Sequence, residues 1–566
     1  MSPTAPPPSP SEISWRRDLA LLVLLFGTLF AWRLGSAPLV NPDEGRYAEV
    51  PREMLASGDW VTPRLDGVPY FEKPPLVYWA VAACERLLGP SEWSVRLTPA
   101  LFAVGGILLA YGAARRLYGR DAGFWAAVVL GTSLLYVAMG HLVGLDLAVS
   151  VLMSATLFCF VLGVHEPPGW RRRWLFYGLY ASAALATLTK GLMGFLITGA
   201  VMLLWLALVD QWKRLRPLHL PSGVALFLAI AAPWHVLVAL RNPGWAHFYV
   251  IYEHWERFLE KGHGRYQPFW FFIPVLLLGL FPWTGFLWAA FRDALAGGWS
   301  RRRENAQAWF LAIWAAFIFL FFSKSQSKLI PYILPVFPPL AVIAGRWLAA
   351  TLPLQDAFAR MRPGLRTFGF LCGLLAAGMC VAVLKPGLIR EASQAAELRP
   401  YAYVMAAILC VGGIRAMIPR PGEGAARGAL IAVTTTLAFL VGVLLLAMPV
   451  IDTRSSREVA LAARGILRPG DPVYCYHGFF HDFTYYSGEA VGLVSYTDEL
   501  ELQFLGPGER ASRFIDDAEF RRQWAGAGRV FAVARIRDAA GLFADPSFHY
   551  HVLAAGPHHY LLSNQP

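Results

Sequence analysis

Ionisable residues lie beside apolar segments at several places in this chain of 566 residues. Carboxylates in such places could act as bases or bind a cation, and lysines could stabilise an anion such as phosphate. Because ionisable groups near hydrocarbon are costly, each of them is a functional candidate. The candidates are Asp43, Glu44, Glu72, Lys73, Asp146, Lys190, the segment 254–263 with two histidines, and the segment 324–328 with two lysines.

The composition of the chain is that of a membrane protein. Hydrophobic residues make up 56% of it and charged residues only 16%, whereas soluble domains carry roughly a quarter charged residues. The net charge of +12 arises from basic clusters at 171–173, 213–216 and 301–303, in short loops between apolar stretches. Basic loops of this kind set topology by the positive-inside rule, so we expect membrane lipids as partners and no nucleic acid. The six cysteines form no CxxC pair, and no disulfide framework is indicated.

The apolar stretches predict a polytopic α-helical membrane protein with about 13 transmembrane helices and a C-terminal soluble α/β domain. Residues 1–14 are predicted to be a disordered cytoplasmic N-terminus, followed by a transmembrane domain at 15–450 with a first outer loop at 35–90. Residues 451–566 form the α/β domain, on the outer face. The predicted spans are 18–34, 95–115, 122–140, 145–164, 174–189, 190–209, 222–240, 267–290, 307–322, 331–350, 365–385, 400–417 and 428–450.

Two further segments have distinctive patterns. Residues 76–88 are apolar but too short to cross a bilayer comfortably, so we predict an amphipathic helix in the membrane interface. In the C-terminal domain, short apolar runs predict strands and mixed patterns predict helices, and no catalytic motif is present. Covering or recognition is one role for this domain, and a structural cap is the other. The predicted strands are Val473–Tyr476, 530–533 and 550–553, and the predicted helices are 456–466 and 516–523.

This topology places every candidate residue on the outer face of the membrane. Each residue alone has a simpler explanation. Asp43 could cap a helix at 44–55, Lys73 and Lys190 could extend to lipid headgroups, and a histidine could hydrogen-bond at the interface. Acids, cations and histidines gathered on one face nevertheless favour a site that handles a phosphate lipid.

The motifs around these residues resemble those of a known family. Residues 41–49 read NPDEGRYAE, 71–75 read FEKPP, 189–191 read TKG, and 323–335 read SKSQSKLIPYILP; residues 253–271 read EHWERFLEKGHGRYQPFWF. The chain resembles the bacterial 4-amino-4-deoxy-L-arabinose transferases that modify lipid A, in the GT-C superfamily of glycosyltransferases. The similarity covers about residues 15–350 and is poor in the C-terminal domain. Gly45 stands where that family usually has Thr, and Leu147 where Pro is common.

The resemblance implies an enzyme of the bacterial inner membrane, with a periplasmic outer face. Its donor would be undecaprenyl-phosphate-linked aminoarabinose, its acceptor a lipid A phosphate, and its effect resistance to polymyxin and other cationic peptides. A monomer is expected. The resemblance implies catalytic roles for Asp43, Glu44 and Asp146. It implies that the donor phosphate is bound by Lys73, Arg257, Tyr332, Lys190 and Lys328, and the sugar by Arg46, Tyr47 and Tyr70. It also implies that a divalent metal, expected to be zinc, is bound by Glu72 and His254, with His263 as a rival to His254.

The chemistry leaves the role of Asp43 open at this point. Departure of polyprenyl phosphate develops negative charge, which Lys73, Arg257 or a metal could stabilise. A hydroxyl acceptor would need a general base, and Asp43 would be the natural one. A phosphate acceptor is already anionic at neutral pH, because its second pKa is about 6. Asp43 would then bind the donor's ammonium group, orient the acceptor or stabilise the transition state.

Three alternative functions are compatible with the sequence. Another GT-C enzyme, such as a protein O-mannosyltransferase, would use a hydroxyl acceptor. A lipid transporter would be expected to show broken helices or paired repeats, and no convincing repeat is present. A membrane scaffold would leave the acids of the outer face unexplained.

Overall fold

The computed structural model describes residues 10–249, 251, 266–385, 388–389, 392–418, 425–451, 453–468, 470–497 and 500–566. The chain divides into two compact units. Unit 1 comprises Met1–Leu34, Pro99–Val236 and Val250–Ile451, and unit 2 comprises Gly35–Thr98, Leu237–Tyr249 and Asp452–Pro566.

Long apolar helices make up most of unit 1. Eight of the described helices are long and apolar enough to cross a membrane, or up to ten if each of two bent helix pairs counts as one span. The bent pairs have angles of 67° and 104°. Between residues 92 and 442, the α-helices that the structure describes are Glu92–Tyr118, Arg120–Gly131, Leu134–Gly140, Leu145–His165, Trp170–Lys190, Met193–Val209, Leu220–Arg241, Trp245–His247, Phe272–Gly279, Leu287–Ala294, Ala306–Lys324, Phe337–Thr351, Ala357–Leu384, Ala392–Met417 and Ala425–Gly442.

Each predicted span overlaps a described helix, but the predicted number of spans is not confirmed. Three of the predicted spans coincide with helices that are too short, or not apolar enough over their length, to count among the eight. Met193–Val209 has only 17 residues. The helices Pro10–Ala31 and Trp170–Lys190 each include several charged residues near their N-termini, as in the run 171–173.

Aromatic side chains and one glycine show how unit 1 packs. Trp205 and Trp283 are fully buried, and their indole N–H groups donate to the Ala306 carbonyl at 2.8 Å and to the Thr132 hydroxyl at 2.9 Å. Large rings whose polar atoms are satisfied stabilise a core without a desolvation penalty. At Gly345 a Cβ atom would lie 2.4 Å from the Ala126 nitrogen. The helices Arg120–Gly131 and Phe337–Thr351 therefore approach closely, as small residues permit between membrane helices.

Unit 2 contains a six-stranded sheet. Its strands are β3 (Val473–Tyr476), β4 (Gly492–Val494), β5 (Phe514–Ile515), β6 (Phe531–Arg535), β7 (His551–Ala555) and β8 (His559–Ser563). The strand order is β5-β4-β3-β6-β8-β7. β3, β4, β5 and β6 are parallel, and β8 pairs antiparallel with both β6 and β7. The α-helices between them and before them are Arg457–Ile466, His481–Ser487, Pro507–Arg513, Asp517–Trp524 and Ile536–Phe543.

These elements confirm the predicted strands and helices of the C-terminal segment. β3 has the predicted bounds, β6 and β7 begin one residue later than predicted, and the helices at 456–466 and 516–523 are each shifted by about one residue. β3 is buried along its whole length, as parallel strands usually are. A continuous apolar run, and not an alternation of apolar and polar residues, therefore marks this strand in the sequence.

Most of the remainder of unit 2 comes from the predicted first outer loop, and Leu237–Tyr249 adds a short segment. The loop contains the helices Asp43–Ser57 and Leu76–Leu88 and a hairpin of β1 (Arg64–Leu65) and β2 (Val68–Pro69). The predicted helix at 76–88 is confirmed with the same bounds. Its buried residues include Val77, Tyr78, Val81 and Glu85.

Candidate active site

Asp43 is the first residue of the helix Asp43–Ser57, and its side chain is 71% exposed. Its Oδ1 atom accepts a hydrogen bond of 2.7 Å from Nη2 of Arg46, whose side chain is only 7% exposed. The interpretation of Asp43 as a helix cap is wrong, since Pro42 occupies the cap position and no side chain caps the helix. An accessible carboxylate in the first turn of a helix, held by a guanidinium, is available to a ligand, and it lies at the positive end of the helix dipole.

Glu44 has the opposite environment. It is 2% exposed and pairs with Arg96, whose Nη2 and Nε atoms lie 2.6 and 2.9 Å from the two carboxylate oxygens. Arg96 also donates to the carbonyls of Ala37 and Pro38 at 2.7 and 2.8 Å. This bidentate pair ties the backbone before Asp43 to the start of the helix Glu92–Tyr118. Glu44 therefore has a positioning contact, and its catalytic role stays a prediction.

The sequence reasoning missed Arg96. A single arginine at the start of an apolar span needs a partner, because an uncompensated charge there is costly. That signal was available, but nothing local indicated that the partner is Glu44, 52 positions earlier.

Asp482 holds the segment before Asp43 from the C-terminal part of unit 2. It is fully buried, and its carboxylate accepts hydrogen bonds from the Asn41 amide group, from the Ser455 and Ser456 hydroxyls at 2.5 and 2.7 Å, and from the Ser456 backbone N–H at 2.7 Å. Its own N–H donates to Asn41 Oδ1 at 3.1 Å. Burial raises the pKa of Asp482, and the hydrogen bonds from the two serines and Asn41 oppose that rise.

Gly45 is explained by the same contact. A Cβ atom at this position would lie 2.6 Å from the backbone nitrogen of Asp482 and 2.9 Å from the carbonyl carbon of His481. Real Cβ atoms do not approach backbone atoms so closely, so the helix His481–Ser487 requires glycine here. The departure from the family pattern at Gly45 thus has a steric cause in this chain.

The motif at 70–73 lies beside the first one. The Tyr70 hydroxyl accepts a hydrogen bond of 3.2 Å from Nη1 of Arg46, and Tyr70 is 2% exposed. Tyr47 stacks on Tyr78 with ring centroids 5.8 Å apart. Arg46 thus links the predicted sugar-binding residue Tyr70 to Asp43 through its two terminal nitrogens.

Lys73 and Glu72 are partly buried neighbours. The Lys73 ammonium donates to the Glu72 carbonyl at 2.7 Å and lies 3.8 Å from the Glu72 carboxylate. Binding of a divalent metal by Glu72 stays a prediction. Within the residues that the structure describes, no group of three or more His, Cys, Asp or Glu side chains could hold a metal ion. His254, its rival His263 and Arg257 lie outside the described residues.

Unit 1 brings three of the predicted residues together. The Lys190 ammonium pairs with Asp146, and it lies 4.2 Å from the centroid of the Tyr332 ring. Asp146 is in the first turn of the helix Leu145–His165 and Lys190 in the last turn of Trp170–Lys190, so each charge also suits its helix dipole. The Asp146 side chain is 22% exposed and that of Lys190 is 15% exposed. The pair is therefore a partly solvated, charged group under the Tyr332 ring.

Lys328 is directed elsewhere. Its ammonium group donates to the carbonyls of Gln267 and Ser325 at 2.7 and 2.5 Å, and the residue is 5% exposed. These contacts fix the segment 325–328 beside residues 266–267, where Tyr266 and Ser327 form a β-bridge. Phosphate binding by Lys328 stays a prediction.

Three carboxyl groups of unit 2, those of Glu53, Asp66 and Glu85, are buried or partly buried. Burial raises the pKa of Glu53 to about 8, helped by the charge of Glu49, and raises the pKa of Asp66 and of Glu85 to about 7. Asp66 accepts a hydrogen bond of 2.5 Å from Arg513, and Glu85 accepts one of 2.7 Å from the Tyr485 hydroxyl. Both contacts join the first outer loop to the C-terminal segment.

These raised pKa values predict that unit 2 loses stability as the pH rises. The folded form binds the protons more tightly than the unfolded chain, whose carboxyls titrate near pH 4. The stabilisation is therefore complete below about pH 4 and is lost as the pH rises through about 7 to 8. We expect a lower midpoint of thermal unfolding at about pH 9 than at about pH 6. Glu85→Gln keeps an oxygen that accepts from Tyr485 and should make the unfolding midpoint depend less on pH. The control Glu458→Gln, at an exposed glutamate, should leave the pH dependence unchanged. The same slope of unfolding midpoint against pH in the wild type and both variants would contradict the prediction.

The chain is similar to enzymes of known activity. Residues 72–236 match the family of dolichyl-phosphate-mannose-protein mannosyltransferases. An undecaprenyl phosphate-α-4-amino-4-deoxy-L-arabinose arabinosyl transferase of Pectobacterium carotovorum is 34% identical over 374 residues, and one of Pseudomonas aeruginosa is 32% identical over 382 residues. These alignments cover 65% and 66% of this chain. The aligned region spans 66% of the Pectobacterium protein, just under two thirds, and 67% of the Pseudomonas protein.

The fold likeness extends over nearly the whole chain. A crystal structure of ArnT from Cupriavidus metallidurans bound to undecaprenyl phosphate superimposes with a TM-score of 0.85 at 28% identity, covering 96% of this chain and 98% of that one. This confirms the predicted GT-C membrane fold with a C-terminal α/β region. The chain therefore belongs to the family of undecaprenyl phosphate-α-4-amino-4-deoxy-L-arabinose arabinosyl transferases.

Proposed function

We propose that this protein transfers 4-amino-4-deoxy-L-arabinose from undecaprenyl phosphate to a phosphate group of lipid A, at the periplasmic face of the inner membrane. Family membership supports the reaction, and the relative bound to undecaprenyl phosphate supports the lipid donor. In the proposed orientation the N-terminus is cytoplasmic and the C-terminal α/β segment periplasmic, and the modified lipid A gives resistance to polymyxin. The protein acts as a monomer.

The observation that carries the proposal is the exposed Asp43 carboxylate on a buried guanidinium. In the transfer, the bond between the sugar's anomeric carbon and the phosphate oxygen of undecaprenyl phosphate breaks, and a bond from that carbon to a lipid A phosphate oxygen forms. The acceptor is already anionic at neutral pH, so no base is needed. Asp43 then has its carboxylate available for the donor's ammonium group, while Arg46 keeps that carboxylate oriented.

The cationic groups are assigned to the leaving phosphate. As the sugar departs, undecaprenyl phosphate gains negative charge, which a preorganised cation stabilises. Lys190, held by Asp146 and lying under Tyr332, and Lys73, held by the Glu72 carbonyl, are the described candidates. Arg257 completes the proposed set. A divalent metal held by Glu72 and a histidine would add positive charge beside the leaving phosphate, and no step is assigned to it.

Lipid A mass spectrometry tests the reaction directly. The chain is expressed in a strain that makes the aminosugar lipid donor and lacks its own transferase. Lipid A should gain the mass of one aminoarabinose residue, and the gain should be absent with an empty vector. Unmodified lipid A, with the protein present in the membrane, would contradict the assignment of the sugar.

The match to protein mannosyltransferases favours one alternative, a GT-C transferase with a hydroxyl acceptor. Asp43 would then be the general base. Transfer of a labelled sugar to protein, in place of lipid A, in the same strain would support this alternative.

Lys190→Gln should weaken binding of the lipid donor. Loss of one charge-assisted contact to phosphate predicts an increase of about tenfold in KM for the lipid donor. Steady-state kinetics in detergent measures this effect. Lys213→Gln, at an exposed lysine of the 3-10 helix Trp212–Leu215, is the control and should leave KM unchanged. A donor KM that is the same in the Lys190 variant and in the wild type would overturn the assignment.

A further inference from the structure

A cavity of about 240 Å³ lies at the end of unit 1 that is opposite to Asp146. It is lined by the last residues of two helices, Tyr118 and His165, and by Arg214, Arg303 and Arg346. Asp146 and His165 occupy the first and last turns of the same helix, so they are about 29 Å apart at about 1.5 Å per residue. This is about the thickness of the hydrocarbon core. The cavity is therefore at the other membrane surface and is separate from the proposed transferase site.

The lining of the cavity is rich in guanidinium groups. Arg303 pairs with Asp210, and Arg346 lies 3.8 Å from Asp293. Arg214 makes no ion pair with any residue that the structure describes, and its backbone carbonyl accepts a hydrogen bond of 2.5 Å from Arg172. Neither Asp210 nor Asp293 lines the cavity.

One lining residue is acidic. Glu304 has its carboxylate 3.9 Å from Arg301. Three arginines and one glutamate thus line the cavity. Arg214 is exposed, so its guanidinium is accessible to an anion.

A helix N-terminus also opens into the cavity. The helix Ala306–Lys324 has 19 residues, and its first three line the cavity. The N–H groups of a first turn have no partner within the helix and form the positive end of its dipole. Asn305, at the cap position, does not cap the helix; its side-chain amide donates to the Ala296 carbonyl at 2.8 Å.

Two neutral side chains add polar atoms to the lining. The Tyr118 hydroxyl is buried and makes no hydrogen bond of ordinary geometry within the described residues. The Arg346 guanidinium lies over its ring, 5.0 Å from the centroid. The Nδ1 atom of His165 lies 2.7 Å from the Val161 carbonyl. A carbonyl can only accept, so Nδ1 carries the proton and Nε2 remains for another partner.

We propose that this cavity binds a phosphate-bearing anion. The phosphate lies at the N-terminus of Ala306–Lys324, whose first residues line the cavity together with Arg214. Helix N-termini and arginine forks are the usual protein partners of phosphate. Anionic phospholipids of the adjacent leaflet and soluble phosphate share this chemistry, and the experiment separates the two sources.

The test compares the purified full-length wild type with Arg214→Gln. Arg171→Gln is the matched control, because Arg171 is an exposed arginine in the first turn of the helix Trp170–Lys190 and does not line the cavity. Each protein is placed in nanodiscs of phosphatidylcholine with or without phosphatidylglycerol, and in detergent with or without inorganic phosphate. Thermal unfolding and native mass spectrometry then give the stabilisation and the number of retained lipids.

The expected result is that phosphatidylglycerol stabilises the wild type and the Arg171 variant. Retention of that lipid should fall by about tenfold in Arg214→Gln, the cost of one charge-assisted contact. Stabilisation by inorganic phosphate that needs Arg214 would assign the site to a soluble anion. Equal losses in both variants would mean only diffuse attraction of basic loops and would overturn the proposal, as would a wild type that neither anion stabilises.

Discussion

The Asp43→Asn variant is expected to lose turnover by a factor of about 10² to 10⁴ while it unfolds at nearly the wild-type temperature. The lower bound is typical of a lost electrostatic contact in the transition state, and the upper bound of a lost general base. The measurement is the rate of sugar transfer from the lipid donor to lipid A, with thermal unfolding recorded on the same preparation.

The fold should tolerate this substitution for two reasons. The Asp43 side chain is 71% exposed, and exposed ion pairs contribute little to stability. Asparagine also keeps the Oδ1 atom that accepts from Arg46, so the buried guanidinium retains a partner. A loss of turnover therefore reports the missing charge and not a collapsed helix.

Asp59→Asn is the matched control. Asp59 is also an aspartate of unit 2 that pairs with an arginine, Arg241 at 3.3 Å, but it is not part of any candidate motif. Its turnover should stay within about twofold of the wild type, because asparagine keeps the Oδ1 atom that accepts from the Val61 and Thr62 backbone N–H groups. If the Asp59 variant lost as much activity as the Asp43 variant, or if the Asp43 variant kept full turnover, the proposed role of Asp43 would be wrong.

Glu44 shows why the sequence alone did not indicate which of the two acids of the motif is exposed and which is buried. Asp43 and Glu44 are adjacent and share the same pattern, yet one is 71% exposed and the other 2% exposed. The difference depends on Arg96, which is distant in sequence, and on the orientation of the first helical turn. Local periodicity carries no information on either contact.

The elements themselves were more predictable than their partners. Apolar length and short buried runs are local properties, so the helix Leu76–Leu88 and β3 were predicted with their observed bounds. The contact between Asp146 and Lys190 was predicted only in part. The predicted topology placed both residues on the same membrane face, but it did not show that their charged groups lie within hydrogen-bonding distance. Asp482 carried no signal at all, because its partner Asn41 lies 441 positions earlier.

Asp482→Ala is expected to lower both the stability and the turnover of the protein. Removing a fully buried carboxylate leaves the Ser455, Ser456 and Asn41 donors without their acceptor, at a cost of about 2–5 kcal/mol. Asn41 is two residues before Asp43, and a displacement of about 1 Å at a reacting group can cost about 10² in rate. The control Asp471→Ala removes an aspartate that accepts from the Arg468 N–H at 2.9 Å, away from the motif, and should change neither quantity by much.

Coupling to Gly45 distinguishes a positioning role from general destabilisation. Gly45→Ala places a Cβ atom 2.6 Å from the Asp482 backbone nitrogen, and Asp482→Ala removes the carboxylate that accepts from Asn41. Both variants therefore disturb the packing of the helix His481–Ser487 against residues 41–45. Residues that share one contact give non-additive effects, and the double variant should lose little more turnover than the worse single variant. kcat should fall more than the donor KM rises, because the binding residues Lys73 and Lys190 are unchanged. Additive losses in kcat, or a change confined to the unfolding temperature, would show that Asp482 stabilises unit 2 without positioning Asp43.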